Sequence, residues 1–203
     1  MDQLEVIKTI VTAVTAFAAI VGGAIALLNA RNSIRWKRAE LASGHLQELT
    51  SNEELVFACR ALDWNGGLLV VPERLRPLVQ EDGEKRVIIH DPAVFRMAMR
   101  PDLLITEMQQ DARLQLYRTA VDSLLSWLTL VRKALDRDLF EPEDIEPVAY
   151  WLRRILGADF LNGFIIAFDY HRDLEELRKA FRHLLQGRGA YARPAASGRA
   201  GSS

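Results

Sequence analysis

Residues Thr9 to Leu28 read TIVTAVTAFAAIVGGAIALL, twenty residues without a charge. As a helix rising about 1.5 Å per residue, such a run spans about 30 Å, the hydrocarbon thickness of a bilayer. Its polar side chains are Thr9, Thr12 and Thr15, whose hydroxyls can return to backbone carbonyls one turn back. Few soluble helices lack a polar face over this length, which counts against a buried core helix. A cleaved signal peptide has a basic leading segment and a small-x-small cleavage site. Here Asp2, Glu5 and Lys8 precede the run, and Arg31 comes directly after Leu28-Asn29-Ala30. The expectation is a transmembrane helix over residues 9–30 behind a short extracytoplasmic N-terminus, residues 1–8.

The flanks set the expected orientation. Arg31, Arg35, Lys37 and Arg38 form a basic juxtamembrane collar over 31–38, against Lys8 and the α-amino group on the other side. Lys and Arg near a helix end favour the cytoplasmic face, so the body is expected inside and the N-terminus outside. Each collar cation is worth on the order of 1 kcal/mol toward anionic lipid. Trp36 belongs either at headgroup level, where indole rings are favoured, or against the body. Ala18, Gly22 and Ala26 recur at intervals of four, a small-xxx-small spacing that lets two helices approach closely. This points to a homodimer through the transmembrane helix.

The chain has 203 residues, 49% of them hydrophobic. That leaves enough length after the anchor for one helical cytoplasmic domain, residues 39–186. Charge is unevenly distributed: the first 38 residues carry a net +3 and the remainder a net −4. A mildly acidic body argues against nucleic acid as a partner. Cys59 is the sole cysteine, so no intrachain disulfide forms. Its place in the apolar pattern ELVFACRAL reads as a buried, inert thiol.

Helical spacing dominates the body. The anchor is expected to continue through Ser33–Leu49, presenting Ile34, Ala39, Leu41, Leu46 and Leu49. Ser51-Asn52-Glu53-Glu54 is a capping-box pattern, with Thr50 or Ser51 as the cap of a helix over Glu53–Leu62. Asn65-Gly66-Gly67 ends it. Leu68–Val71 and Arg86–His90 are short β-like runs around a polar turn at 80–85, and they predict a small two-stranded pair or loop excursion. Asp91-Pro92 opens a short helix that Pro101 stops. From Asp111 to Asp136, Leu114, Tyr117, Val121, Leu124, Leu125, Leu128, Val131 and Leu135 make one apolar stripe, the expected central helix. Further helices are predicted from Glu141-Pro142 to Leu156, over Phe160–Phe168, and over Asp173–Leu185 with Asp169 or Asp173 as cap. The tail, residues 187–203, holds three arginines and no acids among Gly, Ala and Ser, and is expected to be disordered.

No constellation with catalytic or metal-ligating spacing emerges. His45, His90, His171 and His183 are scattered, no CxxC exists, and neither a Walker A sequence nor GxGxxG is present. The acids Glu141, Glu143, Asp144 and Glu146 fit a helix N-terminus. No catalytic residue, cofactor or metal is therefore expected. Two polar clusters stand out: Arg60-Ala61-Leu62-Asp63-Trp64, expected as an i,i+3 ion pair beside an indole, and Asp169-Tyr170-His171-Arg172-Asp173, a joint between two helices. A pocket in the bundle, if the body has one, would draw on Arg60, Trp64, His90 and Tyr117.

The stretch Asn32–Trp64 (NSIRWKRAELASGHLQELTSNEELVFACRALDW) resembles the segment behind the anchor in uncharacterised bacterial single-pass membrane proteins. So does Leu116–Ile155, with LYRTAVDSLLSWLTLVRKAL and EPEDIEPVAYWLRRI. The resemblance covers about half the chain. It implies a bacterial inner membrane, a helical cytoplasmic domain and no assigned activity. The expectation is a mainly α protein: a transmembrane helix, then an α-helical bundle, acting as a self-associating interaction or scaffold module with a protein partner. The alternatives are a membrane-tethered ligand sensor or enzyme, and an accessory subunit of a membrane complex.

Overall fold

The computed structural model describes the backbone of residues 3–79 and 87–186, and the side chains of these residues except 3–16, 18 and 19. The polar turn at 80–85 and the tail at 187–203 lie outside the described residues. The fold is mainly helical with one small two-stranded antiparallel sheet.

One helix, α1 (Gln3–Ser51), runs from the apolar segment into the body without a break. Its two halves meet different surroundings. Every residue from 20 to 37 is exposed, and the first buried one is Ala42. Phe17, Ile20, Ile25, Leu27 and Leu28 all stand in the open. Beyond them Ala42, His45, Leu46 and Leu49 fall at i, i+3, i+4 and i+7, one face that turns into the core. Ile34 and Leu41, expected on that face, are exposed instead.

Among the described residues, no helix is long and apolar enough to cross a membrane. The span expected over 9–30 therefore gains no support from the structure. The described part of its apolar run, residues 20–28, extends only about 13 Å as a helix, short of a bilayer core. The rest falls largely on side chains outside the described set.

The body is organised around α6 (Ala112–Leu135), the expected central helix, capped by the Asp111 carboxylate on Arg113 N–H. Its apolar stripe is enclosed from Leu114 to Val131, with Tyr117, Leu124 and Leu128 at no solvent exposure, and Leu135 at its end is half-buried. Against it pack α2 (Glu53–Asp63), α3 (Arg76–Val79), α4 (Pro92–Ala98), α5 (Ile105–Gln110) and α9 (His171–Ala180). α2 is capped by Asn52, whose side chain accepts from Glu54 and Leu55, rather than by Thr50 or Ser51. Thr50 instead donates its hydroxyl back into α1, to the Leu46 and Gln47 carbonyls.

The β-like runs pair as expected. β1 (Gly67–Val70) lies antiparallel to β2 (Val87–His90), with Leu69 opposite Ile88 and Gly67 opposite His90. Leu69, Ile88 and His90 face inward, while Leu68, Val70, Val87 and Ile89 form an exposed apolar outer face. Gly66 and Gly67 enter the strand at φ +149° and +125°, angles that side-chain-bearing residues rarely adopt.

Three helices predicted as single elements are divided. Pro142–Ile145 is a 3-10 turn, and α7 (Pro147–Leu156) begins afresh at a second proline. A proline ring clashes with the carbonyl four residues back, so Pro147 can start a helix but not continue one. Asp159–Leu161 is likewise a 3-10 turn ahead of α8 (Asn162–Ala167). The last segment breaks at buried Phe181 into α9 and α10 (Arg182–Gln186). Neither expected cap serves α9. Asp169 sits in the left-handed region at φ 61°, and Asp173 bonds Arg132 at 3.0 Å.

Candidate functional site

Strand β2 delivers His90 to the core and α6 delivers Tyr117, and the two side chains meet at 2.9 Å between Nδ1 and the phenol. His90 is 3% exposed and Tyr117 is fully buried. The Asp91 N–H donates to the Tyr117 oxygen at 3.4 Å, so the phenol joins the His90 ring to the backbone at the end of β2. Nε2 has no hydrogen-bond partner of good geometry among the described residues. Burial pushes the His90 pKa below its ordinary value, opposed by the Trp64 backbone and the Asp91 charge. Burial also raises the Tyr117 phenol. Edge-to-face contacts with Phe95 close the cluster, at 5.8 Å from His90 and 5.1 Å from Tyr117. Neutral, enclosed and packed among rings, this pair is suited to fixing β2 onto α6.

The other two residues of the expected pocket, Arg60 and Trp64, are exposed. The Arg60 guanidinium sits over the Trp64 ring, 5.8 Å from its centroid. The expected Arg60–Asp63 ion pair is replaced by partners from α7. Asp63 accepts from the Tyr150 hydroxyl at 2.6 Å and pairs with Arg154 at 3.2 Å. Arg154 also donates to the Leu62 carbonyl, so α7 closes the C-terminal end of α2. The four residues thus form two pairs, His90 with Tyr117 in the core and Arg60 with Trp64 at the surface.

Several polar contacts have no counterpart in the sequence motifs. Glu54 is 8% exposed, yet it accepts from Ser123 at 2.6 Å and from Arg74 at 3.4 Å. Glu48 receives the Trp127 indole N–H at 3.1 Å, and His45 packs edge-on against Phe140. Arg118 donates to the Ala98 and Arg100 carbonyls while lying over Phe164 and Phe168. Burial lowers the Arg118 pKa. These residues join sequence-distant helices, and a polar residue inside an apolar stripe was the signal available for Ser123 and Glu54.

Cys59 is buried, and its surroundings push the thiol up to about 12, burial first and the Asp63 charge second. Such a thiol is a poor nucleophile. Among the described residues no group of His, Cys, Asp and Glu is placed to hold a metal ion.

In the collar Arg31, Arg35, Trp36 and Lys37 are exposed, Trp36 to 78%. Trp36 therefore does not pack against the body. Arg38 turns inward to Glu141 at 3.1 Å. Of the small-residue stripe, Gly22 has open space where a side chain would stand and Ala26 is exposed. Ala18 lies outside the described side chains. In the joint between α8 and α9, Tyr170 bonds Asp122 at 2.7 Å and Ser126 at 2.9 Å, while His171 approaches Asp169 at 3.5 Å. The joint is thus tied to α6 through Tyr170.

Compared with known proteins, the chain matches no family model, no curated protein and no solved structure.

Proposed function

We propose that this chain is a membrane-anchored interaction module. Residues 9–30 lie in the bilayer, and the helical body stands on the cytoplasmic side of a bacterial inner membrane. The observation that carries the reading is the free half of α1: a charge-free run whose described side chains meet nothing in the body, followed by exposed Trp36 amid Arg31, Arg35 and Lys37. Leaving Phe17, Ile20, Ile25, Leu27 and Leu28 in water is costly at about 25 cal/mol per Å² of apolar surface, and lipid removes that cost. Confinement to one surface raises the effective concentration of the body for partners on the same surface. The stripe of Ala18, Gly22 and Ala26 gives the anchor a face for a second copy. The apolar outer face of the hairpin is the surface the body offers a protein partner.

Ile25→Arg tests this reading without touching the core, because Ile25 is 53% exposed. The wild-type chain is expected in the membrane fraction after alkaline washing, and the variant is expected to be released. Release of the wild type would overturn the anchor. Replacing Gly22 with Ile should abolish crosslinked dimers if the stripe joins two copies.

A further inference from the structure

Where the packed end of α1 meets α2 and the start of α7, the surface opens into a groove of about 380 Å³. Its floor and walls are apolar: Leu46, Leu49, Val56, Cys59 and Trp151. A second depression of about 240 Å³ adjoins it and shares Thr50, Val56 and Arg60. The combined space is within the range of small-molecule sites. Its polar groups are nearly all engaged elsewhere. Thr50 gives its hydroxyl to α1 carbonyls, and Glu53 takes the Glu73 N–H at 2.6 Å. The high pKa of Cys59 keeps it a thiol.

Arg60 is the exception. It stands on the rim common to both depressions, held over Trp64. Asp63, its natural neighbour, is committed to Arg154 and Tyr150. Among the described residues Arg60 makes no ion pair. An apolar trough with a guanidinium at its lip that no carboxylate among the described residues pairs selects a molecule with an apolar chain and a single anionic head. From this geometry we infer that the groove binds an anionic amphiphile, a medium-chain carboxylate or its like, with the chain over Leu49 and Trp151 and the head on Arg60.

The source of such a molecule is constrained. Leu46–Thr50 lies beyond the apolar run by about twenty helical residues, about 30 Å along α1. A lipid seated around that run does not reach the groove, so the amphiphile arrives as a monomer, from solution or by leaving a bilayer.

Equilibrium dialysis of radiolabelled decanoate against the full-length chain in phosphatidylcholine nanodiscs, with empty discs as the blank, tests the site. The expected result is one saturable component. Arg60→Gln should weaken it about tenfold or more, as loss of a charged hydrogen bond does, and Arg60→Lys should restore most of it. Decanol should bind the wild type and Arg60→Gln alike, and Trp151→Ala should weaken both ligands. Decanoate lost from discs containing phosphatidylglycerol would mark the bilayer as the source, and decanoate retained would mark solution; both uphold the site. Uptake no greater than that of empty discs would overturn it and leave the groove to a protein occupant. So would equal affinity of decanoate for wild type and Arg60→Gln.

Discussion

Between residues 20 and 28, α1 shows every side chain to solvent, whereas α6 buries eleven of its twenty-four residues. Both helices are rich in aliphatic residues, Leu, Val and Ala among them. In α6 the apolar residues keep a helical period and alternate with Arg113, Arg118, Asp122 and Arg132, so one side can be covered by neighbours while the other stays wet. In the free half of α1 no side is polar, so burying one face against a domain would leave the others exposed. Apolar content alone thus says that a helix wants burial, and periodicity says whether a protein core can supply it.

Matched substitutions break this comparison most sharply. Leu124→Ala in α6 should cost about 2–5 kcal/mol of body stability, the usual range for a fully enclosed leucine, seen as a lower denaturant midpoint. Ile25→Ala should leave the same midpoint within about 0.5 kcal/mol. Equal losses would mean that the free half of α1 does pack on the body. Next in size is Tyr117→Phe, which leaves His90 Nδ1 and the Asp91 N–H without their partner. A loss of about 1–3 kcal/mol is expected in chemical denaturation.

The same pair gives the packing on α6 a pH dependence. His90 binds a proton less readily in the folded chain than its ordinary value of 6.5. Below that pH the unfolded state takes up more protons, so stability is complete above about 6.5 and declines as pH falls through the lowered folded value. Unfolding midpoints between pH 5 and 8 check this, and His90→Gln should flatten the slope. Smaller still is Arg132→Gln, which loosens α9 from α6 at the partly exposed Asp173 contact. It should cost under about 1 kcal/mol and less in high salt. Smallest is Glu141→Gln, where the free part of α1 joins the body through Arg38. An exposed pair of this kind contributes about 0–1 kcal/mol, measurable by double-mutant cycle at low ionic strength.

How legible each feature is in the sequence depends on how local its cause is. The α6 stripe is written over more than six turns, and the hairpin is marked by Gly66-Gly67 and two β-branched runs, so both can be read from neighbours in sequence. α5, ITEMQQ, has neither length nor apolar period and escapes such a reading. The break before α7 is legible in principle, since Pro147 forbids continuation, but Pro142 five residues earlier draws the expected start forward. His90 facing inward comes from strand alternation, while its meeting with Tyr117 depends on where β2 lies against α6. The exchange of Arg60 for Arg154 at Asp63 is a packing result between residues about ninety apart, and no spacing rule announces it.

The continuity of α1 from Gln3 to Ser51 makes it a drive shaft between its free half and the body. No hinge separates the free half from the face bearing Ala42, His45 and Leu49, so turning one end turns the other. One residue inserted between Ile34 and Ala42 would rotate the body about 100° relative to the apolar segment and lift it about 1.5 Å, while seven would nearly restore its azimuth. Any output that depends on which flank of the body meets its neighbour should therefore rise and fall with inserted length at a period of about 3.6 residues, whereas one that needs only proximity should ignore the phase.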